Sequence, residues 1–281
     1  ATGPWESQHQ EALNLLISIY REQKKMGPAF ALLEDALKQA KETNQIVWTK
    51  RELARAYRSD GQFDKALPLM KSILDLSDDK QQRALDYAEY AGLLAAMKNY
   101  GEAAAAMEKA MQTAEGRQKM PLTQNYVEML KQAGMYKYGI DMLQKLIAAY
   151  PPGSEFALWA EVELLQFERH EGQIDAANAR LKKFLALDLR PGQTPSNFLN
   201  ATAAEDPTGR DLAVKLLEKV IKTEPSGSFT GANARLIFAN RLLDEQEKLD
   251  ADWRTRSEEL AKEIVTGNQD PNLVAQAYDT L

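Results

Sequence analysis

The stretch Arg51-Glu52-Leu53-Ala54-Arg55-Ala56-Tyr57-Arg58-Ser59-Asp60-Gly61-Gln62-Phe63-Asp64-Lys65-Ala66-Leu67-Pro68-Leu69-Met70-Lys71-Ser72-Ile73-Leu74 decides the fold. Apolar or small residues fall at Leu53, Ala54 and Tyr57, then at Ala66, Met70 and Ile73, the three-and-four spacing of one helical face. Between the two runs lies Gly61, which can take the positive φ that ends a helix, followed by an aromatic residue, Phe63, that covers the joint. The segment therefore reads as two short helices joined by a tight turn.

The same slots recur along the chain. Leu53 has its counterpart at Tyr90, and the set there is Tyr90-Ala91, Leu94, Lys98, Tyr100, Ala103, Met107 and Ala110. The preceding set is Leu16-Ile17, Tyr20, Lys24, Ala29, Leu33 and Ala36. The following one is Tyr126-Val127, Leu130, Gly134, Tyr136, Gly139, Leu143 and Leu146, with Pro151 where the second helix should stop. Self-similarity at such a period marks a stacked array, in which each unit buries its apolar face against its neighbours. Ala29, Ala66, Ala103 and Gly139 hold the close crossings, where a larger side chain would push the helices apart.

The pattern loosens further on. Leu164-Leu165, Phe167, Gly172, Ile174, Ala177, Leu181 and Phe184 form a fifth unit, and Ala213, Leu217, Val220 and Pro225 mark the second helix of a sixth. A last pair spans 232–247, with Leu236, Ala239, Leu242 and Leu243 inward, and 251–265, with Trp253, Leu260, Ala261 and Ile264. Asp270-Pro271 starts one more helix, Asp as N-cap and Pro in the first turn. Within 190–209, Pro191, Pro195 and Pro207 break any regular helix, so this segment reads as a bend or irregular unit. Its alternative role is a loop that binds a partner.

The small, aromatic, small and Pro slots resemble the tetratricopeptide repeat over roughly residues 10 to 265. Seven units are counted, the first four most clear. The resemblance implies an all-α, right-handed superhelical solenoid of antiparallel helix pairs, a single array over 1–281, and the further helix begun at Asp270-Pro271 leads to the expectation that it is part of a longer protein. This chain departs from the family in its longer period, in Lys24 and Lys98 at the turn, and in its mostly unfilled Trp slot.

Composition agrees with a helical protein of this kind. Of the 281 residues, 44% are hydrophobic and 27% charged, and the net charge of −6 disfavours nonspecific attraction to nucleic acid or anionic lipid. No apolar run is long enough to span a bilayer, so no direct membrane insertion is expected. With no Cys, disulfides and thiolate chemistry are excluded. Localisation stays open between cytoplasm and periplasm. His9 and His170 are the two histidines; His170-Glu171 lacks a second His at helical spacing, and both read as exposed helix residues. Phosphate-binding glycine loops are absent, and Asp78-Asp79 and Glu258-Glu259 read as solvated or capping acids. The expectation is no catalysis, no cofactor and no metal.

The most informative polar feature is Arg51, Arg55 and Arg58, one stripe along the first helix of the second unit. In the family this face lines a groove for a peptide or partner helix. Matching positions carry Asn14, Ser18 and Arg21 in the first unit and Gln124, Glu128 and Lys131 in the fourth. The reading is that Arg51, Arg55 and Arg58, helped by Asn14 and Arg21, hold an acidic segment or a terminal carboxylate of a protein partner. The alternative is a solvated Arg face balanced by Glu52 and nearby acids, and on either view Arg55→Glu should leave stability nearly unchanged. The third unit offers Ala88, Glu89 and Gly92 where chaperone-binding members need Asn and basic groups, so that ligand is not expected. Ala88, Gly92, Ala95 and Ala96 form a small apolar floor suited to an inserted helix or aromatic anchor. The function implied is a non-catalytic interaction scaffold. Its alternatives are an oligomerising assembly module, or a regulatory or docking domain of a larger enzyme or export machine.

Overall fold

The protein is described by a computed structural model covering residues 4–281 apart from 24, 75, 77, 78, 193, 196 and 246–251, with side chains described from residue 10 and not at 245. All regular structure among these residues is helical. The chain forms two compact units, Ala1–Gly134 and Met135–Leu281.

In the first unit, α1 (Pro4–Glu22) and α2 (Met26–Gln39) are followed by α3 (Thr43–Ser59) and α4 (Phe63–Ile73), then α5 (Lys80–Ala96), α6 (Tyr100–Thr113) and α7 (Lys119–Gln132). Sequential neighbours pack on each other, as short turns between antiparallel helices require. One continuous core joins α1 to α5 through Ile17, Ala29, Leu33, Leu53, Tyr57, Ala66, Met70 and Leu93. The small slots Ala29, Ala66 and Ala103 are fully buried. Leu16 does not share this face: Leu13 and Ile17 are buried in its place and Leu16 is exposed. Leu13 and Ile17, four residues apart, stack on one side of the helix, and Leu16 is rotated about 100° from Ile17.

Turn geometry explains the Gly slot. Gly61 has φ +76 and Gly134 φ +66, and Lys98, where the sequence has no Gly, adopts φ +61. The bond that closes a left-handed helix end is present at both of the first unit's inner turns, Gln62 N–H to Tyr57 O at 2.9 Å and Asn99 N–H to Leu94 O at 2.9 Å. Lys24, the other departure, lies outside the described residues.

The second unit holds α8 (Tyr136–Ala148), α9 (Glu155–His170), α10 (Ile174–Ala186), α11 (Pro207–Thr223), α12 (Phe229–Glu245), α13 (Trp253–Gly267) and α14 (Pro271–Thr280). A five-residue 3₁₀ helix, Phe198–Thr202, stands between α10 and α11, packed on α9, α11 and α12 with Phe198, Ala201 and Thr202 buried. Asp206-Pro207 begins α11 inside the segment 190–209 read as irregular, with Asp206 capping Gly209 N–H. Asp270 caps α14 through Asn272 N–H and Leu273 N–H, as the Asp-Pro pair predicts. The core runs from α9 to α13 through Val162, Leu165, Leu181, Phe198, Leu216, Phe238, Leu242 and Leu260. Leu243 points away from it, exposed beside the buried Leu242.

Candidate functional site: the arginine face of α3

Arg51, Arg55 and Arg58 stand on one face of α3 and meet one face of α5. Arg51 is buried and donates through Nε and Nη2 to the two carboxylate oxygens of Asp86, at 2.7 and 2.9 Å. Asp86, fully buried, also accepts from Gln82 Nε2 at 3.1 Å. Arg55, one turn on, donates to Glu89 at 2.9 Å through Nε and at 2.5 Å through Nη2, and to Glu52 at 2.8 Å through Nη1. Burial pulls the Arg55 guanidinium downward in pKa, but hydrogen bonds and charge from Glu89, then Glu52, outweigh it and raise it.

Arg58 differs from both. It is exposed, it forms no ion pair among the described residues, and its guanidinium lies 3.8–3.9 Å from the place a side chain at Gly92 would occupy. Around it, Ala88, Gly92 and Ala95 of α5 are partly exposed. A Cβ at Gly92 would meet the Arg58 guanidinium at no more than ordinary van der Waals contact, so the head lies over α5 without being crowded.

Asn14 and Arg21 are exposed on α1 and make no side-chain bond to α3 among the described residues. The structure thus brings Arg51, Arg55 and Arg58 onto α5, and no side-chain bond among the described residues joins Asn14 or Arg21 to them. Two of the three arginines are spent on α5, which changes the expectation for Arg55→Glu: a third carboxylate would face Glu52 and Glu89. Asp86 and Glu89 escaped the sequence reading as partners. Their signal was present, since acids three residues apart on α5 match arginines four apart on α3 at offsets of 35 and 34 residues.

Other chemistry is sparse. No group of three or more His, Asp or Glu side chains among the described residues could hold a metal ion, and no described helix is long and apolar enough to cross a membrane. His170 is exposed at the end of α9 and stacks on Tyr136 at 4.3 Å, while the His9 side chain lies outside the described residues.

A tetratricopeptide repeat family model matches residues 51–84, the stretch that carries the arginine face. Residues 51–84 thus match a tetratricopeptide repeat. Repeats of this family mediate protein–protein interaction, and the family is typically non-catalytic. Among solved structures, the C-terminal part of a TPR repeat-containing protein from Cytophaga hutchinsonii is similar at 14% identity, over 93% of this chain and 98% of that one, with a TM-score of 0.44. No curated protein matches.

Proposed function

We propose that this chain is a non-catalytic scaffold that docks a peptide or helix of a partner protein on the arginine face of α3 and the small floor of α5. The observation that carries this reading is Arg58, a guanidinium with no ion pair or hydrogen bond among the described residues, lying over Gly92 on a helix face of small side chains. An acidic residue or terminal carboxylate would bond Arg58 bidentately, and an apolar neighbour would rest on Ala88 and Ala95. Arg51 and Arg55 serve as the platform, fixing α3 against α5, and the exposed Asn14 and Arg21 extend the same polarity along α1.

The test is affinity capture from the native organism with wild type and an Arg21→Glu/Arg58→Glu double variant. Both positions are exposed, so folding is preserved and thermal unfolding should match wild type. A partner caught by wild type and lost by the variant supports the reading; a partner retained by both removes it.

Self-association is a second reading, supported by the exposed Leu15, Leu16 and Ile19 of α1. A solution mass that stays monomeric across a concentration series removes it.

A further inference from the structure

Between α10 and α11 the chain follows the register of the repeat without completing its helix. Residues of α9 bond residues of the next unit at offsets of 32 to 38: Asn197 Nδ2 donates to Glu163 Oε1 at 2.7 Å, 34 residues apart, and to Trp159 O at 3.1 Å, 38 residues apart. Arg169 donates to Ala203 O at 2.8 Å, again 34 residues apart, and to Ala201 O at 2.9 Å. Arg55 and Glu89 join α3 to α5 at the same offset of 34. The 3₁₀ helix Phe198–Thr202 therefore occupies the place of a first helix, but it has 5 residues where α5 has 17.

The shortfall leaves space. At the same offset, Glu155 and Leu158 at the start of α9 should be covered by helical turns near Leu189 and Gly192. Those four residues instead line a cleft of about 470 Å³, with Arg190 and Pro195. The volume lies within the usual range for binding pockets. Its far wall is tied back by the buried Glu224 and the half-buried Lys219. Glu224, 2% exposed, accepts from Gly192 N–H at 3.0 Å and from Thr194 Oγ1 at 2.7 Å, and Lys219 Nζ donates to Leu185 O and Leu187 O. Gly192 at φ +75 further keeps this backbone out of a right-handed helix.

We propose that this cleft is a second docking site, for an extended partner segment in which a large apolar side chain stands next to Lys or Arg. The half-buried Leu158 and Leu189 offer an apolar seat on which part of such a side chain loses contact with water. Glu155 and Asp188 stand exposed at the cleft and form no ion pair among the described residues; with Glu224 behind Gly192 and Thr194 they face two described cations, Arg190 in the lining and Lys219 behind Leu187. The excess of carboxylate selects a cationic neighbour and repels an acidic one. The site is opposite in sign to the Arg58 face, so one chain presents two surfaces of different charge preference.

Fluorescence anisotropy on the full chain tests this with labelled hexapeptides Ser-Lys-Phe-Lys-Ser-Gly, Ser-Glu-Phe-Glu-Ser-Gly and Ser-Lys-Ala-Lys-Ser-Gly. The Lys-Phe-Lys peptide should bind at least about tenfold more tightly than either of the others. Leu158→Arg should abolish that binding with the circular dichroism melt unchanged. Glu155→Lys/Asp188→Lys, at two exposed positions that leave the core untouched, should reverse the preference towards the Glu-Phe-Glu peptide. Arg58→Glu should have no effect, which separates this site from the one on α3. Absence of binding by wild type, equal affinity for the three peptides, or a preference unmoved by the Glu155/Asp188 reversal overturns the proposal.

Discussion

Arg51 and Asp86, 35 residues apart, are joined by two N–H···O bonds of 2.7 and 2.9 Å in a setting where the Asp86 side chain is fully buried and that of Arg51 nearly so. A buried pair is costly to break from one side, because the surviving charge keeps its desolvation penalty without its partner. Arg51→Met should lower unfolding free energy by about 3 to 5 kcal/mol, measured by urea denaturation. Adding Asp86→Leu to Arg51→Met should recover most of that loss. A single-variant cost below about 1 kcal/mol would place the pair with ordinary surface pairs and refute its structural role.

Arg55 stands between these extremes, its side chain 40% exposed against 23% for Glu89. Reversing it to Glu sets three carboxylates together, with Glu52 and Glu89. Arg55→Glu should cost about 1 to 2 kcal/mol, between exposed and buried pairs. Glu89→Arg on that background should return part of the stability, and a reversal with no stability cost contradicts the geometry.

The helix pairs were legible in the sequence because their causes are local. Apolar spacing, Gly61 and Gly134 at turns, and Asp270-Pro271 at a helix start each act within a few residues, and the structure places them as read except at Leu16 and Leu243, which lie one residue off the buried face and are exposed. Pairings between units were not legible in the same way. The arginine stripe was visible on α3, but its partners Asp86 and Glu89 depend on how α5 docks, a register that no single helix encodes. The segment 190–209 announced itself through its prolines as irregular. That Glu224, at the end of α11, would hold Gly192 and Thr194 depends on tertiary contacts 32 and 30 residues apart.

Gly139 on α8 is set by a close approach. A Cβ there would lie 2.0 Å from Phe167 Cε1 and 2.4 Å from Cδ1 of α9. Ala is the better helix former by about 1 kcal/mol, yet overpacking a core contact costs about 1 to 3 kcal/mol, so the clash wins. Gly139→Ala should lower stability, and Phe167→Leu combined with it should cost less than the two changes summed. Additive effects in chemical denaturation would show that the ring moves aside without strain.

Lys98 offers the opposite case, a residue other than Gly in the left-handed region, φ +61, at an exposed turn. A Cβ in this conformation costs about 1 to 2 kcal/mol, partly offset because Gly makes the unfolded chain more flexible by about 0.4 to 1 kcal/mol. Lys98→Gly should therefore stabilise by about 0.5 to 1 kcal/mol, seen as a higher Tm. A lower Tm would mean that the lysine side chain stabilises the turn by more than its backbone strain.

Tyr57 carries the clearest pH signature. It stacks on Phe30 at 4.6 Å, and its hydroxyl donates to Glu34 Oε1 at 2.6 Å. Burial first, then the hydrogen bond and charge of Glu34, push its pKa from 10 up to about 12. The fold thus favours the protonated phenol, and between these values the native state holds a proton that the unfolded state has released. The stabilising contribution is complete below the unfolded value and is lost as pH rises from about 10 to about 12. The stability gap between wild type and Tyr57→Phe should be constant up to about pH 10 and shrink above it. A gap that stays level through that window would mean Tyr57 titrates as an ordinary exposed phenol and that Glu34 does not hold its proton.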